Sequence, residues 1–148
     1  MIRDPDPTLI TDPYLAALVR AIQTWRVRAV PDEALATVLL PNEIAILVSA
    51  YAWHDATIAV GEMWFDRPVR VTAKRLRGTA KEAVKLGILA NGDEVIARMS
   101  KTTATIVEVS NSGELDRKRG SLASFLRHCV DYARNGDFET PLDAHLPK

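Results

Sequence analysis

The residues of this 148-residue chain with the clearest chemistry are its cations. At about 100° per residue, Arg70, Lys74, Arg77, Lys81 and Lys85 fall within an arc of about 80° on a single helix. Ala73, Leu76, Ala80, Ala83 and Val84 form a neighbouring apolar arc, so the segment reads as an amphipathic helix with a basic stripe beside a buried one. A second cluster, Arg117-Lys118-Arg119, and Lys101 at a predicted hairpin tip add to the set. Lys and Arg in such numbers meet the phosphates of a nucleic acid. The alternative is a solvated helix face with no ligand, since protein surfaces are normally charged. Gly78 is costly inside a helix and Thr79-Ala80-Lys81-Glu82 fits a capping box, which opens a helix-turn-helix alternative with a turn at Gly78.

Groups for catalysis are fewer. His54-Asp55 follows an apolar run and reads as an acid/base pair or as an exposed helix end. His128 and Cys129 are adjacent on a helix, with side chains about 100° apart, and Cys129 shares the apolar stripe, the position of a buried structural thiol. The three His and one Cys include no pair at metal-ligand spacing, no Cys-x-x-Cys and no His-Glu-x-x-His. The seven glycines are scattered, so there is no phosphate-binding glycine loop. The expectation is a noncatalytic protein with no cofactor.

Charge is unevenly distributed. The chain is neutral overall, but residues 1–66 hold four Lys/Arg against nine Asp/Glu, residues 67–134 hold fourteen against seven, and residues 135–148 hold one against three. This asymmetry suits an anionic partner of the middle segment, or docking of the basic part on the acidic part. It suggests an acidic helical region at 1–66 and a basic α+β region at 67–148, packed as one body or joined in sequence. The longest nearly unbroken apolar run, Ile44 to Trp53, is about half of what a membrane-spanning helix requires, so no transmembrane helix is expected. The start, MIRDPDPTLITDP, has acids and prolines where a signal peptide has basic and apolar residues, and a cytoplasmic location is expected.

The elements that must hold these residues follow from caps and periodicity. Asp12 with Pro13 starts a helix whose apolar residues Leu15, Leu18, Val19 and Ile22 recur at helical spacing, predicted to run to about Ala29. Pro31-Asp32-Glu33 starts a short helical stretch, and Ile44, Leu47, Val48 and Tyr51 resume the period after Pro41. Residues 56–71 fit either a helix end or short strands around Gly61. Gly87 is expected to end the basic helix, and Asn91-Gly92-Asp93 forms a turn. Glu94 to Met99 and Thr103 to Val109 read as a hairpin, followed after Asn111-Ser112-Gly113 by a polar strand around Leu115 that ends at Gly120. Ser121 caps a last helix, Leu122 to Arg134, burying Phe125, Leu126, Cys129 and Val130.

From about Thr79 to Phe138 the order of parts resembles a RAMA domain, the module associated with restriction enzymes and adenine methylases. The matching residues are Gly87-Ile88-Leu89, Gly92-Asp93, Ala104-Thr105, Gly113, Ser121 with Ser124, and Asn135-Gly136. The chain departs from the family after Asn-Gly, where Asp137-Phe138-Glu139 replaces Trp and a second aromatic. The resemblance implies a noncatalytic module that contacts DNA, discriminating methylated DNA or accompanying restriction and modification proteins. Aromatic residues for stacking on an exposed base are scarce in the basic segment, where only Phe125, Tyr132 and Phe138 follow Phe65 and Phe125 is expected in the core.

The combined expectation is an α+β protein that binds duplex DNA through Arg70, Lys74, Arg77, Lys81, Lys85, Lys101, Arg117, Lys118 and Arg119. The alternative is a protein-interaction or self-assembly module, in which an acidic surface of a partner or of a second copy covers the basic stripe.

Overall fold

The computed structural model describes residues 2–36, 40–71, 82–100, 103–110 and 116–147. It is an α+β fold in which three helices cover one face of a six-stranded antiparallel sheet.

Helix α1, Pro13–Gln23, starts where the sequence places it, with Asp12 Oδ1 accepting from the Leu15 amide at 2.8 Å. It stops at Gln23 rather than near Ala29. The Thr24 hydroxyl donates back to the Ala21 carbonyl, and the following residues run extended beside the end of the next helix, where Val27 bridges His54 and the Arg28 amide donates to the Trp53 carbonyl at 2.7 Å. These cross-chain bonds replace the intrahelical ones that residues 24–29 would otherwise make. A single 3-10 turn, Glu33–Ala36, follows, and α2, Asn42–Trp53, buries Ile44, Leu47, Val48 and Tyr51.

Residues 56–71 form strands. In β1, Ile58–Val60, and the first part of β2, Met63–Val71, buried Ile58, Val60, Met63 and Phe65 alternate with exposed Ala59 and Trp64. The Gly61 turn between them has φ +61°, and a Cβ there would stand 2.8 Å from the Cys129 carbonyl oxygen, so glycine lets the last helix approach.

Where the predicted basic helix is described, at its two ends, it is strand. Its start lies in β2 and its end in β3, Glu82–Leu89, which pair with each other in antiparallel register. Ala, Lys and Leu are good helix formers, but such local preference is small and tertiary pairing overrides it here, where β3 gains ladder partners on both sides, from β2 and from β4, Glu94–Met99. Gly87 is therefore a strand residue rather than a helix stop. The helix-turn-helix alternative falls for the same reason, since Glu82 and the residues after it are extended. Lys74, Arg77 and Lys81 lie outside the described residues.

The rest of the meander follows the sequence. The turn at Asn91-Gly92-Asp93 joins β3 to β4, with the Asp93 amide donating to Asn91 Oδ1 at 2.9 Å. Strand β5, Ala104–Val109, pairs with β4, and β6, Asp116–Gly120, pairs with β5. Helix α3, Leu122–Asn135, capped by Ser121, lays Leu122, Phe125, Leu126, Cys129, Val130 and Ala133 on the sheet. The main core unites Leu18 and Ile22 of α1, Tyr51 of α2, Phe65 of β2, Ile106 of β5 and Phe125 of α3, the last two rings meeting edge-on at 6.3 Å between Phe65 and Phe125. A smaller cluster, Ala83, Ile96, Val107 and Val109, lies apart from it, with Val71 packed against it. No helix among the described residues is long and apolar enough to cross a membrane.

Candidate nucleic-acid interface

Because neighbouring strands alternate in direction, a meander sorts its connections between two ends of the sheet. β2, β4 and β6 run toward one end. The connection from Val71 to Glu82 and that from Met99 to Ala104 leave and return there. These two stretches of sequence carry Lys74, Arg75, Arg77, Lys81 and Lys101 and no acidic residue. At the opposite end the connections between β1 and β2, β3 and β4, and β5 and β6 carry Glu62, Asp93 and Glu114 and no basic residue. By sequence, the connections that leave and return at one end of the sheet are basic and those at the other end are acidic.

The described candidates take three positions. Cross-strand register puts Val69, Lys85, Ile96, Val107 and Lys118 in one row, and Ile96 and Val107 belong to the smaller cluster, so Lys85 and Lys118 flank it on the face away from the helices. Lys85 Nζ lies 3.9 Å from Glu94 Oε1, a loose contact that leaves the amine partly hydrated. Arg117 and Arg119, one residue to either side of Lys118, point to the other face. There they line a cavity of about 190 Å3 under α3 with Glu62, Glu108, His128 and Tyr132. Arg119 is bidentate to Glu108, at 2.9 and 3.2 Å, which commits its guanidinium to the fold. The Arg117-Lys118-Arg119 cluster is therefore split between two faces. Arg70 is exposed near the end of β2, opposite Val84 and beside the basic connection. Lys101 lies outside the described residues.

Sequence reading missed Trp64. It is 49% exposed on the open face, and with Val69, Val71, Lys85, Gly87 and Ile88 it lines a hollow of about 510 Å3 along β2 and β3. Two register shifts open this hollow, one in β2 between Phe65 and Val69 and one in β3 between Lys85 and Gly87. At its floor, a Cβ on Gly87 would stand 1.9 Å from the Trp64 carbonyl oxygen. The available signal was the alternation Met63-Trp64-Phe65, which puts the central ring on the face opposite its neighbours once the stretch is a strand.

The catalytic candidates are absorbed by structure. His54 is buried and bonds Asp4 and the Trp25 carbonyl, not Asp55, which pairs with Arg28. It is thus neither an acid/base pair with its neighbour nor an exposed helix end. Burial pushes the Cys129 thiol up to about 12, so it stays protonated at neutral pH. Donation of the Tyr132 hydroxyl to Glu62 Oε1 at 3.0 Å raises the phenol as well. Among the described residues no group of three or more His, Cys, Asp and Glu is arranged to hold a metal.

Comparison with protein-family models, curated proteins and solved structures finds no match to this chain.

Proposed function

We propose that this chain is a noncatalytic nucleic-acid-binding module that holds the phosphate backbone of duplex DNA at the basic end of its sheet. The observation that supports this most is the sorting of charge by the meander, with Lys74, Arg75, Arg77, Lys81 and Lys101 tethered at one end and Glu62, Asp93 and Glu114 at the other. Cations from separate parts of the chain are thereby gathered where a polyanion can neutralise them together, and the opposite end repels it. Arg70 and Lys85 extend the basic end along the strands. The resemblance to RAMA domains supports the same reading, and under it the module would act beside restriction and modification proteins. Titration of methylated and unmethylated duplex DNA at low salt tests the reading: salt-sensitive binding supports it, and no binding to either at tens of micromolar protein (roughly the weak end of nonspecific affinities) ends it.

The same polarity supports a second reading. A molecule with a basic and an acidic end is suited to head-to-tail contact with its own copies, a heterologous arrangement that gives rings or filaments. Under this reading the protein associates without nucleic acid, and salt disperses the assemblies.

A further inference from the structure

We propose that the cavity under α3 binds a small zwitterion, an α-amino acid with a short side chain, whose carboxylate is held by Arg117 and whose ammonium group is held by Glu62. This site is independent of the nucleic-acid reading, because it lies on the helix side of the sheet and uses none of the basic connections.

The cavity follows from the way the sheet meets its last helix. α3 packs against β1 at one edge of the sheet and against β5 and β6 toward the other, so the strands between them curl beneath it. Met63 of β2 and Leu89 of β3, with Phe125 and Cys129 of α3, supply the apolar part of the lining. The volume of about 190 Å3 is roughly that of six waters at ~30 Å3 each, room for a small metabolite and too little for a nucleotide.

The polar groups of the lining divide into those spent on the fold and those left for a ligand. Arg119 and Glu108 neutralise each other in their bidentate pair. Asn91 is held in its turn, where its side chain accepts from the Asp93 amide. Arg117 stands opposite Glu108 in the register of β5 and β6, but that carboxylate is taken by Arg119, and Arg117 has no ion-pair partner among the described residues. Glu62 accepts the Tyr132 hydroxyl on Oε1 and pairs with no cation among the described residues. One guanidinium and one carboxylate therefore remain unpaired in a single cavity. Glu62, Glu108 and Arg119 all act electrostatically on the buried Cys129 thiol, so the charged walls converge on one point of α3.

This charge pattern selects the ligand. A simple anion would meet Arg117 but also the carboxylates of Glu62 and Glu108. A simple cation would meet Glu62 but also two guanidiniums. A zwitterion gives each unpaired group its opposite charge and adds no net charge to the cavity. His128 lines the cavity about one turn before Tyr132 on α3 and makes no hydrogen bond among the described residues, so its ring adds a polar contact for the ligand. The apolar lining is left to the ligand's side chain, which the volume keeps short.

The test is calorimetric titration of the full chain with glycine, L-alanine, L-serine, L-threonine and L-valine. At least one should bind saturably. For that amino acid, the acid and the amine left when either charged group is removed, propionate and ethylamine in the case of alanine, should bind about ten- to 150-fold more weakly, the loss of one charge-assisted contact. Glu62→Gln should abolish the preference for the amino acid over the acid, and Arg117→Gln the preference over the amine. Both side chains are exposed, so the unliganded variants should melt as the wild type does. No saturation by any of these amino acids at about 10 mM overturns the site. An acid that binds as tightly as its amino acid, or a preference that survives both substitutions, overturns the zwitterion. Duplex titrations stand apart from these outcomes, since DNA binding can fail while the cavity still fills.

Discussion

His54 Nε2 lies 2.7 Å from Asp4 Oδ2 while Nδ1 lies 3.0 Å from the carbonyl oxygen of Trp25. The carbonyl can only accept, so Nδ1 is the donor to Trp25, and Nε2 faces the Asp4 carboxylate. The ring is only 5% exposed. Its two bonds tie the N-terminal segment to the ends of α1 and α2, and Gln23 donating to Asp4 at 2.9 Å and Trp53 Nε1 donating to the Ile2 carbonyl at 3.1 Å close the same strap.

Replacing Asp4 with Ala leaves Nε2 of this buried ring without its partner and should destabilise the fold by about 1–3 kcal/mol. Asp4→Asn keeps an acceptor and should recover most of the loss. Urea unfolding of the two variants checks the strap: an unchanged midpoint for Asp4→Ala would mean that residues 2–9 contribute nothing to stability.

Local signals were legible and nonlocal ones were not. Asp12-Pro13, Ser121 and the apolar period of Leu122 to Ala133 identify α1 and α3 because capping and amphipathic spacing are written within a dozen residues. The strand pair Glu94–Met99 and Ala104–Val109 shows itself through β-branched residues. Strand β3 does not, because the spacing of Arg70, Lys74, Arg77, Lys81 and Lys85 fits a helix face. What decides for strand is pairing with β2 and β4, which no window of sequence contains. The candidate site suffered from the same error: Arg70 and Lys85, assigned to one helix stripe, belong to strands, and Trp64 had no face until β2 had neighbours.

Leu126 is fully buried in α3, so Leu126→Ala should cost about 2–5 kcal/mol, the range for a buried leucine whose cavity does not fully collapse. A variant that melts like the wild type would remove this side chain from the core.

Cys129 should be nearly inert in the folded protein. Its side chain faces the core and its thiol, pushed up to about 12, supplies little thiolate at neutral pH. Labelling by a thiol reagent should follow unfolding, and fast modification in native buffer would place the sulfur at the surface.

Glu43 gives the fold a pH dependence of definite sign. Burial raises its carboxyl above the ordinary carboxylate value, although Oε1 accepts from the Leu122 amide at 3.4 Å at the start of α3. The folded state therefore holds this proton more tightly than the unfolded one. Its contribution to stability is fully present below the unfolded value and is lost as pH rises through the folded value. Glu43→Gln keeps an acceptor and cannot ionise, so its advantage over the wild type should grow from about pH 4 to pH 7. Parallel unfolding curves at all pH values for the two proteins would show that Glu43 titrates alike in both states.

The basic end of the sheet makes a quantitative prediction for binding. With on the order of three to five phosphates neutralised by Lys74, Arg77, Lys81 and their neighbours, the log–log salt slope on duplex DNA should be about −3 to −5. Changing Lys74 and Lys81 together to Ala should flatten it by about one to two units and weaken all sequences alike, because backbone contacts position a duplex without reading it. Both residues fall in the sequence between β2 and β3, and the melting temperatures of the wild type and the double variant, measured alongside, show whether the change acts on binding or on folding. Glu62→Gln at the acidic end should leave the slope unchanged if DNA is the partner. Under the head-to-tail reading, either the Lys74/Lys81 pair or Glu62→Gln would instead reduce oligomer size, since each removes charge from one side of the same contact. Sedimentation of the wild type and both variants without DNA, set beside the salt titrations, therefore decides which anion the basic end meets.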